Sequence, residues 1–293
     1  MKRAATALLG LTIMSCAPER WDPNKLARGE SNTLDEQIAR GQDSYQTYCA
    51  GCHGAQGDGE GPAARFLGPK PRDFRKARIK FASVAAGQMP RDEDLLRVIT
   101  HGLSGTSMPS WSLLPQQERL DIIAYLKTFS DAWKGAPGAP VPIPPDPYRK
   151  KPETGVEEGE RIYHGMAQCS SCHPAYVSKA KLADHMKSTG VPFSGSFRDR
   201  LYESVEKDSE WGAPIRPPDF LVDRVKAGST KEELVMVIAA GVGGTAMPSW
   251  ASGLSPRELW GIAYYVESLV AMRGTPEAAQ LKRDLTNQPQ DAK

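Results

Sequence analysis

Cys49-Ala50-Gly51-Cys52-His53 and Cys169-Ser170-Ser171-Cys172-His173 are two copies of one motif, Cys-x-x-Cys-His, in a chain of 293 residues. Together they contain four of the five cysteines of the chain. On a helix, residues three apart lie on one face, so both thiols of a motif can reach one flat ligand from the same side. The histidine that follows can then offer a neutral imidazole nitrogen to a metal at the centre of that ligand.

This spacing predicts covalent attachment of a c-type haem at each motif, with two thioether bonds and one iron-bound histidine. A redox dithiol, half of a zinc site and a pair of disulfides are the alternatives. A zinc site normally needs two converging cysteine pairs, and a thioredoxin-like dithiol follows a strand, which neither segment provides. The predicted thioether and iron-binding residues are Cys49, Cys52, His53, Cys169, Cys172 and His173.

An internal repeat provides candidates for the second iron ligand. Ser104-Gly105-Thr106-Ser107-Met108-Pro109-Ser110-Trp111 matches Gly243-Gly244-Thr245-Ala246-Met247-Pro248-Ser249-Trp250 at a constant offset. Glycine lets the backbone approach a porphyrin closely, and proline fixes the chain just beyond the thioether sulfur. Methionine usually fills gaps in a core, but the repetition of the whole loop favours ligation. We therefore expect Met108 and Met247 to be the second axial ligands.

Other residues compete for these roles. Met89 is also followed by proline, but alignment of the two halves places it opposite Gly228, so the repeat favours Met108. The three remaining histidines have no repeated partner and are interpreted as surface or structural imidazoles, although each could act as a minority or switching ligand. These are His101, His164 and His185.

Further repeated motifs support a resemblance to a known family. Gly41-x-x-x-Tyr45 and Gly159-x-x-x-Tyr163 precede the two haem motifs, and Pro71-Arg72-Asp73-Phe74 matches Pro217-Pro218-Asp219-Phe220. With the methionine loops, these motifs resemble class I cytochrome c. Two such domains in tandem resemble the dihaem cytochromes c.

The resemblance covers residues 34–130 and 155–272, and it implies two covalently bound haem c groups, one in each domain. It also implies that Trp111 and Trp250, which follow the methionine loops, pack near the haems. The fold class that we expect is all-α, with each domain a small helical bundle wrapped round its haem.

Local patterns agree with helices. Apolar residues recur at helical spacing over residues 34–48, 92–100, 115–129, 231–240 and 256–270, and no segment shows a sustained period of two. Asp92 is expected to cap the second of these helices, and Pro115 to start the third.

Composition shifts divide the chain into six parts. Seven prolines between residues 137 and 152 exclude a helix, and they favour a semi-rigid spacer or a strap lying along one or both domains. The predicted parts are a signal peptide (1–15), a lipidated tether (16–33), cytochrome c domain 1 (34–133), a proline-rich linker (134–154), cytochrome c domain 2 (155–272) and a polar C-terminal tail (273–293).

The two halves differ in two places. Tyr45 precedes the first cysteine of its motif by four residues, whereas Tyr163 precedes it by six, so the chain must approach the second haem motif differently. The second half also has about nineteen extra residues between histidine and methionine, within residues 175–214, by subtraction of the repeat offsets. This insert is expected to be an extra helix on the haem pocket, with a docking loop as the alternative.

The N-terminus has the pattern of an export signal. Lys2 and Arg3 precede an apolar run over residues 4–14, which is too short to span a bilayer. Ile13-Met14-Ser15-Cys16 resembles a bacterial lipobox, which implies cleavage before Cys16 and acylation of that cysteine. We therefore expect a periplasmic or otherwise extracytoplasmic protein, lipid-anchored to a bacterial membrane.

Charge provides little information about partners. The chain has 37 basic and 35 acidic residues, so there is no basic field for nucleic acid. The expected function is one-electron transport in an extracytoplasmic respiratory chain. Expected partners are a quinol-oxidising complex, a soluble cytochrome, a terminal oxidase or a periplasmic dehydrogenase.

The alternative is a dihaem oxidoreductase, of peroxidase or sulfur-compound dehydrogenase type, or its cytochrome subunit. Such an enzyme needs one iron with an open position, and two intact methionine loops argue against it. A haem-based sensor would need an output domain, for which the sequence has no candidate.

Overall fold

The computed structural model describes residues 33–288. Within this range the chain is helical, and the only β pairing consists of two isolated bridges. The all-α prediction is therefore confirmed. The helices are α1 (Leu34–Tyr48), α2 (Ala50–His53), α3 (Asp92–His101), α4 (Gln116–Leu126), α5 (Pro152–His164), α6 (Lys179–Ser188), α7 (Lys231–Ala240), α8 (Pro256–Met272) and α9 (Pro276–Thr286), with several short 3-10 turns between them.

In the first half, α1 crosses α4 at Gly41. A Cβ built on Gly41 would lie 1.9 Å from the backbone oxygen of Asp121, so only glycine permits this approach. The side chain of Arg40 forms an ion pair of 2.7 Å with Asp121 beside the crossing. Below it, Tyr45, Ile122 and Leu126 are buried in one core. The first Gly-x-x-x-Tyr motif therefore sets the contact between the first and last helices of this half.

The second half repeats this crossing with α5 and α8. A Cβ on Gly159 would lie 1.8 Å from the backbone oxygen of Gly261. Tyr163 is buried and makes an edge contact of 5.5 Å between ring centroids with Tyr265 of α8. Both halves are thus built on the same pair of crossed helices.

The start of α3 differs from the prediction in its capping residue. Asp92 is the first residue of the helix and does not cap it. Asp94, two residues later, is buried, and its carboxylate accepts hydrogen bonds from the backbone of Arg91 (3.1 Å) and Ser83 (2.6 Å). Three acidic residues in the first turn make the capping residue ambiguous in the sequence, and burial decides between them.

The proline-rich segment lies as a strap along both halves. On the first half, the backbone of Val141 donates to Ser83 O (2.7 Å). On the second, the indole of Trp260 donates to Pro144 O (2.8 Å), and the hydroxyl of Tyr264 donates to Asp146 (2.7 Å). Of the two arrangements that the sequence leaves open, the structure has the strap.

The two halves also contact each other directly. The backbone of Ala86 donates to Ala240 O, and the backbone of Gly243 donates to Lys80 O, both at 2.8 Å. Gly105 of the first methionine loop lies against the side chain of Arg224. The second methionine loop therefore begins in the interface between the halves.

The insert at residues 175–214 contains α6 and a following loop. α6 packs on α5, and Leu182 of this helix lies in a small core with Ala175 and Leu201. In the loop, the guanidinium of Arg198 donates to the backbone oxygens of Ser170 (2.9 Å) and His173 (3.0 Å). The insert thus braces the second haem motif from outside.

The C-terminal segment is more ordered than the expected polar tail. α9 buries Ala278 and Leu285, and Lys282 forms an ion pair of 2.5 Å with Asp219. Within residues 33–288, no helix is long and apolar enough to cross a membrane. The predicted signal peptide and nearly all of the tether, including Cys16, lie outside the described residues.

Candidate haem sites

The first Cys-x-x-Cys-His motif forms a single helical turn directly after α1. Cys49 ends α1 and precedes α2, and its backbone oxygen accepts from the backbone of His53 (2.8 Å). Gly54 then reverses the chain with φ of 78°. A Cβ on Gly61 would lie 2.5 Å from Ala50 O, so the loop that follows packs closely under the motif.

The ring of His53 is fixed by its Nδ1 atom. This atom lies 3.1 Å from the backbone oxygen of Arg72, and because a carbonyl only accepts, Nδ1 carries the proton. The ring stacks on Phe74 with centroids 4.6 Å apart. Burial lowers the pKa of His53. Burial thus favours the neutral ring, and a proton on Nδ1 leaves the Nε2 lone pair free for a metal.

The second motif has the same chemistry on a different backbone. A 3-10 turn at Cys169–Ser171 replaces the α-helical turn, and Gln168 before it has φ of 46°. The Nδ1 atom of His173 lies 3.0 Å from Pro218 O, and its ring stacks on Phe220 at 4.9 Å. Burial also lowers the pKa of His173. The two extra residues before the motif form this altered approach, as the sequence predicts.

A tyrosine braces each motif from the first helix of its half. The hydroxyl of Tyr45 donates to Gly54 O (2.9 Å), and that of Tyr163 donates to Pro174 O (3.0 Å). Each acceptor directly follows the motif histidine, so helix and motif are joined at equivalent points.

The methionine loops have matching hydrogen bonds. Leu103 N donates to Met108 O, and Val242 N donates to Met247 O, both at 3.1 Å. A threonine hydroxyl inside each loop accepts from the methionine backbone, at 3.1 Å for Met108 and 3.2 Å for Met247. The backbones of Met108 and Met247 are therefore held by the same two hydrogen bonds.

The loops begin at a glycine with positive φ, 68° at Gly102 and 78° at Gly241. A Cβ on either would lie 2.6 Å from a backbone atom of its loop, so the close turn requires glycine. Neither glycine was singled out from the sequence, although both stand at the same offset as the methionines.

The structure brings three of the predicted residues of each half to one core. In the first half, Cys49, Met108 and Trp111 pack against the cluster that contains Tyr45. In the second half, Cys169, Met247 and Trp250 pack against the cluster that contains Tyr163. The side chains predicted from widely separated motifs are thus neighbours within each half.

The competing residues have contacts of their own. Met89 packs against the same core as Met108, with its methyl group 3.5 Å from the Cβ position of Gly135 and its backbone oxygen bonded to Gly138 at the start of the strap. His164 is buried and uses both ring nitrogens, with Nδ1 on Glu160 O (2.9 Å) and Nε2 accepting from Tyr176 N (3.1 Å).

The other two histidines lie at or near the surface. His185 pairs with the carboxylate of Glu160 at 3.0 Å, and His101 is exposed at the end of α3. The structural interpretation of His164 and His185 agrees with these contacts.

The donor set of each half fits a c-type haem. Each half provides two thiols, an imidazole with a free nitrogen and a thioether, which are the groups that covalent attachment and axial ligation use. The first cysteine of the motif and the methionine pack against the same core in each half. In the described part of the chain, the four motif cysteines form no disulfide. Nor does any group of three or more His, Cys, Asp or Glu converge there as a zinc site would require.

Crossed helices, a motif histidine and a methionine loop, all present twice, define tandem class I cytochrome c domains. The family model described as cytochrome c oxidase, cbb3-type, subunit III matches residues 36–126 and 154–266, and the chain belongs to this family. Membership implies a covalent haem c cofactor and a role in electron transport.

A solved structure shows a similar arrangement. The chain is similar to a chain of the reducing HAO-like protein complex from Kuenenia stuttgartiensis, with 30% sequence identity and a TM-score of 0.64. The similarity covers 79% of this chain and 96% of the other. No curated protein matches the sequence.

Proposed function

We propose that the protein is a dihaem c-type cytochrome that transfers single electrons outside the cytoplasm. The observation that supports this best is the repetition of one site in both halves, with matching hydrogen bonds at the histidine and at the methionine. Haem iron, when bound, accepts and releases one electron. The motif cysteines and histidines and the two loop methionines would hold it, and the core of each half would exclude water from it.

The proposed axial pairs are His53 with Met108 and His173 with Met247. The carbonyls of Arg72 and Pro218 keep Nε2 of each histidine free and orient the ring. With two protein ligands, each iron would have no position for peroxide or another substrate. Such a closed site would favour electron transfer over catalysis, and methionine ligation would favour a higher potential than a second histidine.

The N-terminal lipid remains part of the proposal. Acylation of Cys16 would hold the two domains near a membrane, within reach of a quinol-oxidising complex, a terminal oxidase, a soluble cytochrome or a periplasmic dehydrogenase. Transient redox partners use small interfaces. The nearly balanced charge of the chain does not favour one of these partners over another.

A second candidate function is that of a permanent subunit in a larger redox complex. The similar chain from Kuenenia stuttgartiensis belongs to an HAO-like complex, and almost its whole length is covered. In this alternative, the protein is the cytochrome subunit that takes electrons from, or gives electrons to, an enzyme. Purification of the native protein under mild conditions distinguishes a free carrier from a stoichiometric subunit.

Absorption spectra test the ligands. In the oxidised protein, we expect a near-infrared sulfur-to-iron band from both haems. Met108→Ala and Met247→Ala should each remove about half of that band, because one of two equivalent ligands is lost. Met89→Leu is the matched control and should leave the band at full strength.

Carbon monoxide tests whether the sites are closed. The reduced unmodified protein should not bind the gas, whereas each alanine variant should bind it at one haem. Binding by the unmodified protein at half of its haem would contradict the electron-carrier proposal. It would instead support a dihaem oxidoreductase of peroxidase or sulfur-compound type.

A further inference from the structure

The segment that holds the second motif histidine is itself anchored by its neighbours. Pro218 O lies 3.0 Å from Nδ1 of His173, and the ring of Phe220 stacks on the same histidine. Asp219 stands between these two residues, and its side chain is only 13% exposed. A shift of this segment would therefore turn or tilt the ring of His173.

Tyr176 joins Asp219 to Phe220. Its hydroxyl donates to the Asp219 carboxylate (3.2 Å) and accepts from the backbone of Phe220 (2.8 Å). Burial raises the pKa of Tyr176 well above its usual range, so the hydroxyl keeps the proton that it donates. The carboxylate also accepts from the backbone of Leu221 (3.1 Å). Asp219 is thus the centre of the contacts that anchor the segment.

The cation for this carboxylate comes from α9. Lys282 Nζ lies 2.5 Å from the Asp219 carboxylate, and no other Lys or Arg among residues 33–288 lies within ion-pair distance of it. Breaking a largely buried ion pair by removal of one partner leaves the other charge unbalanced. The second half therefore depends on a residue beyond the predicted cytochrome c domain to balance this carboxylate.

The first half anchors the corresponding segment with a different group. The indole of Trp133, which follows α4, donates to Phe74 O (2.7 Å). Asp73, the counterpart of Asp219, pairs with Arg75 in its own segment (2.9 Å). In both halves, a residue beyond the last helix of the crossed pair reaches back to the segment that holds the histidine. That residue is a neutral indole in the first half and a cation in the second.

We propose that Lys282 is a positioning residue for the second haem, because its ion pair with Asp219 holds the segment that orients His173 and balances the charge of that carboxylate. The inference rests on the proposed function, which supplies a haem whose iron binds His173. An unbalanced carboxylate near this histidine would favour the oxidised haem, since oxidised iron carries one more positive charge. Lys282 therefore keeps the potential of the second haem higher than it would be without the ion pair.

Midpoint potentials test the proposal. Lys282→Met removes the charge and keeps an unbranched side chain. It should shift the oxidised-to-reduced ratio of the second haem roughly threefold to tenfold at fixed solution potential, a fall of about 30 to 59 mV. Lys282→Arg keeps the charge and should restore the potential of the unmodified protein. Met108→Ala and Met247→Ala assign each potential to its haem, and a response of the first haem alone would overturn the proposal.

Asp219→Asn should change the potential in the opposite direction. The amide oxygen can still accept from Tyr176 and Leu221, but the ammonium of Lys282 loses its counter-charge. The potential of the second haem should therefore rise, and in the double variant with Lys282→Met it should return towards its original value. A fall in both single variants would contradict the proposal. Lower melting temperatures with unchanged potentials would also contradict it, since that result is purely structural.

Arg283→Met is the matched control. Arg283 is the next residue of α9, but it is exposed and its guanidinium donates to Gln280 (2.5 Å). The variant removes the same charge from the same helix, so both potentials should stay unchanged. An equal fall in Arg283→Met and Lys282→Met would show an effect of net charge alone, against the proposal. The spectrum of the unmodified protein reports haem number and ligation, so failure of the proposed function appears there and not in these comparisons.

Discussion

The histidines differ in which ring nitrogen stays free. His53 and His173 each use Nδ1 on a backbone oxygen and keep Nε2. His164 uses both nitrogens on backbone groups and has none left for a metal. The geometry thus distinguishes candidate ligands from a structural imidazole.

Acid should destabilise the fold through His164. Burial lowers its pKa from 6.5 to about 4, so the unfolded chain binds more protons between these values. The free energy of unfolding should therefore fall as pH drops from 6.5 to 4, by at most about 1.4 kcal/mol per pH unit. Denaturant titration at several pH values measures this slope.

Two variants check this prediction. In His164→Gln the free energy of unfolding should depend less on pH, whereas in His101→Gln its dependence on pH should remain as in the unmodified protein. Glu160, His185 and Lys181 surround the buried ring and are the same in both variants. An unchanged slope in His164→Gln would contradict the prediction.

At this scale the sequence predicted the motif residues but not their supports. The Cys-x-x-Cys-His spacing and the methionine repeat are local, so they are visible in one segment. The carbonyls of Arg72 and Pro218 lie in a repeated motif and could have been found by its offset. The stacking of the Arg72 guanidinium on the ring of Trp211 could not have been predicted. It joins positions that are far apart in the chain, and it has no counterpart in the repeat.

Among the elements, the crossed helices depend on two glycines. Gly41→Ala should lower the free energy of unfolding by about 3 kcal/mol, because the added Cβ would collide with the backbone of Asp121. Gly159→Ala should have a similar effect on the second half. Calorimetry of the haem-loaded protein measures both changes.

Gly135→Ala is the control for these substitutions. Its Cβ would have no neighbour closer than 3.5 Å, and its φ of −63° suits alanine. Equal stability of Gly41→Ala and Gly135→Ala would contradict this prediction. It would mean that α1 and α4 can move apart to fit the added Cβ without loss of free energy of unfolding.

Helix positions were predicted well where apolar residues repeat strongly. α1 and α7 have the predicted bounds, while α3, α4 and α8 differ by one to three residues at an end. α9 was missed because only Ala278 and Leu285 of this polar segment are buried. α6 was expected only as one form that the insert could take, since its apolar face is short.

For the whole molecule, the strap and the direct contacts join the halves. We expect Gly243→Ala to loosen this interface, because its Cβ would lie 2.4 Å from the backbone oxygen of Ile79. The unmodified protein should unfold in one calorimetric transition, and the variant in two or in one broadened transition.

Gly253→Ala provides the comparison, since its Cβ would meet only ordinary contacts near 3.6 Å. Two transitions in the unmodified protein would show that the halves unfold independently and that the interface contributes little.

The sequence could not choose between a free spacer and a strap. The prolines up to Pro147 exclude a helix in either arrangement. Pro152, which the prediction placed in the linker, is instead the first residue of α5, a position where proline is tolerated. The deciding contacts come from Trp260 and Tyr264 of α8 and from Ser83 of the first half, which are distant in sequence from the prolines that they contact.

Because the strap is hydrogen-bonded to both halves, the two domains are not joined by a free, flexible linker. With a haem in each half, as proposed, the fold would set the distance between the two haems, so solvent viscosity should not govern how fast electrons pass between them. The rate would then depend on the difference in potential between the two haems. An electron donor and an electron acceptor would dock on one body, each beside its own haem.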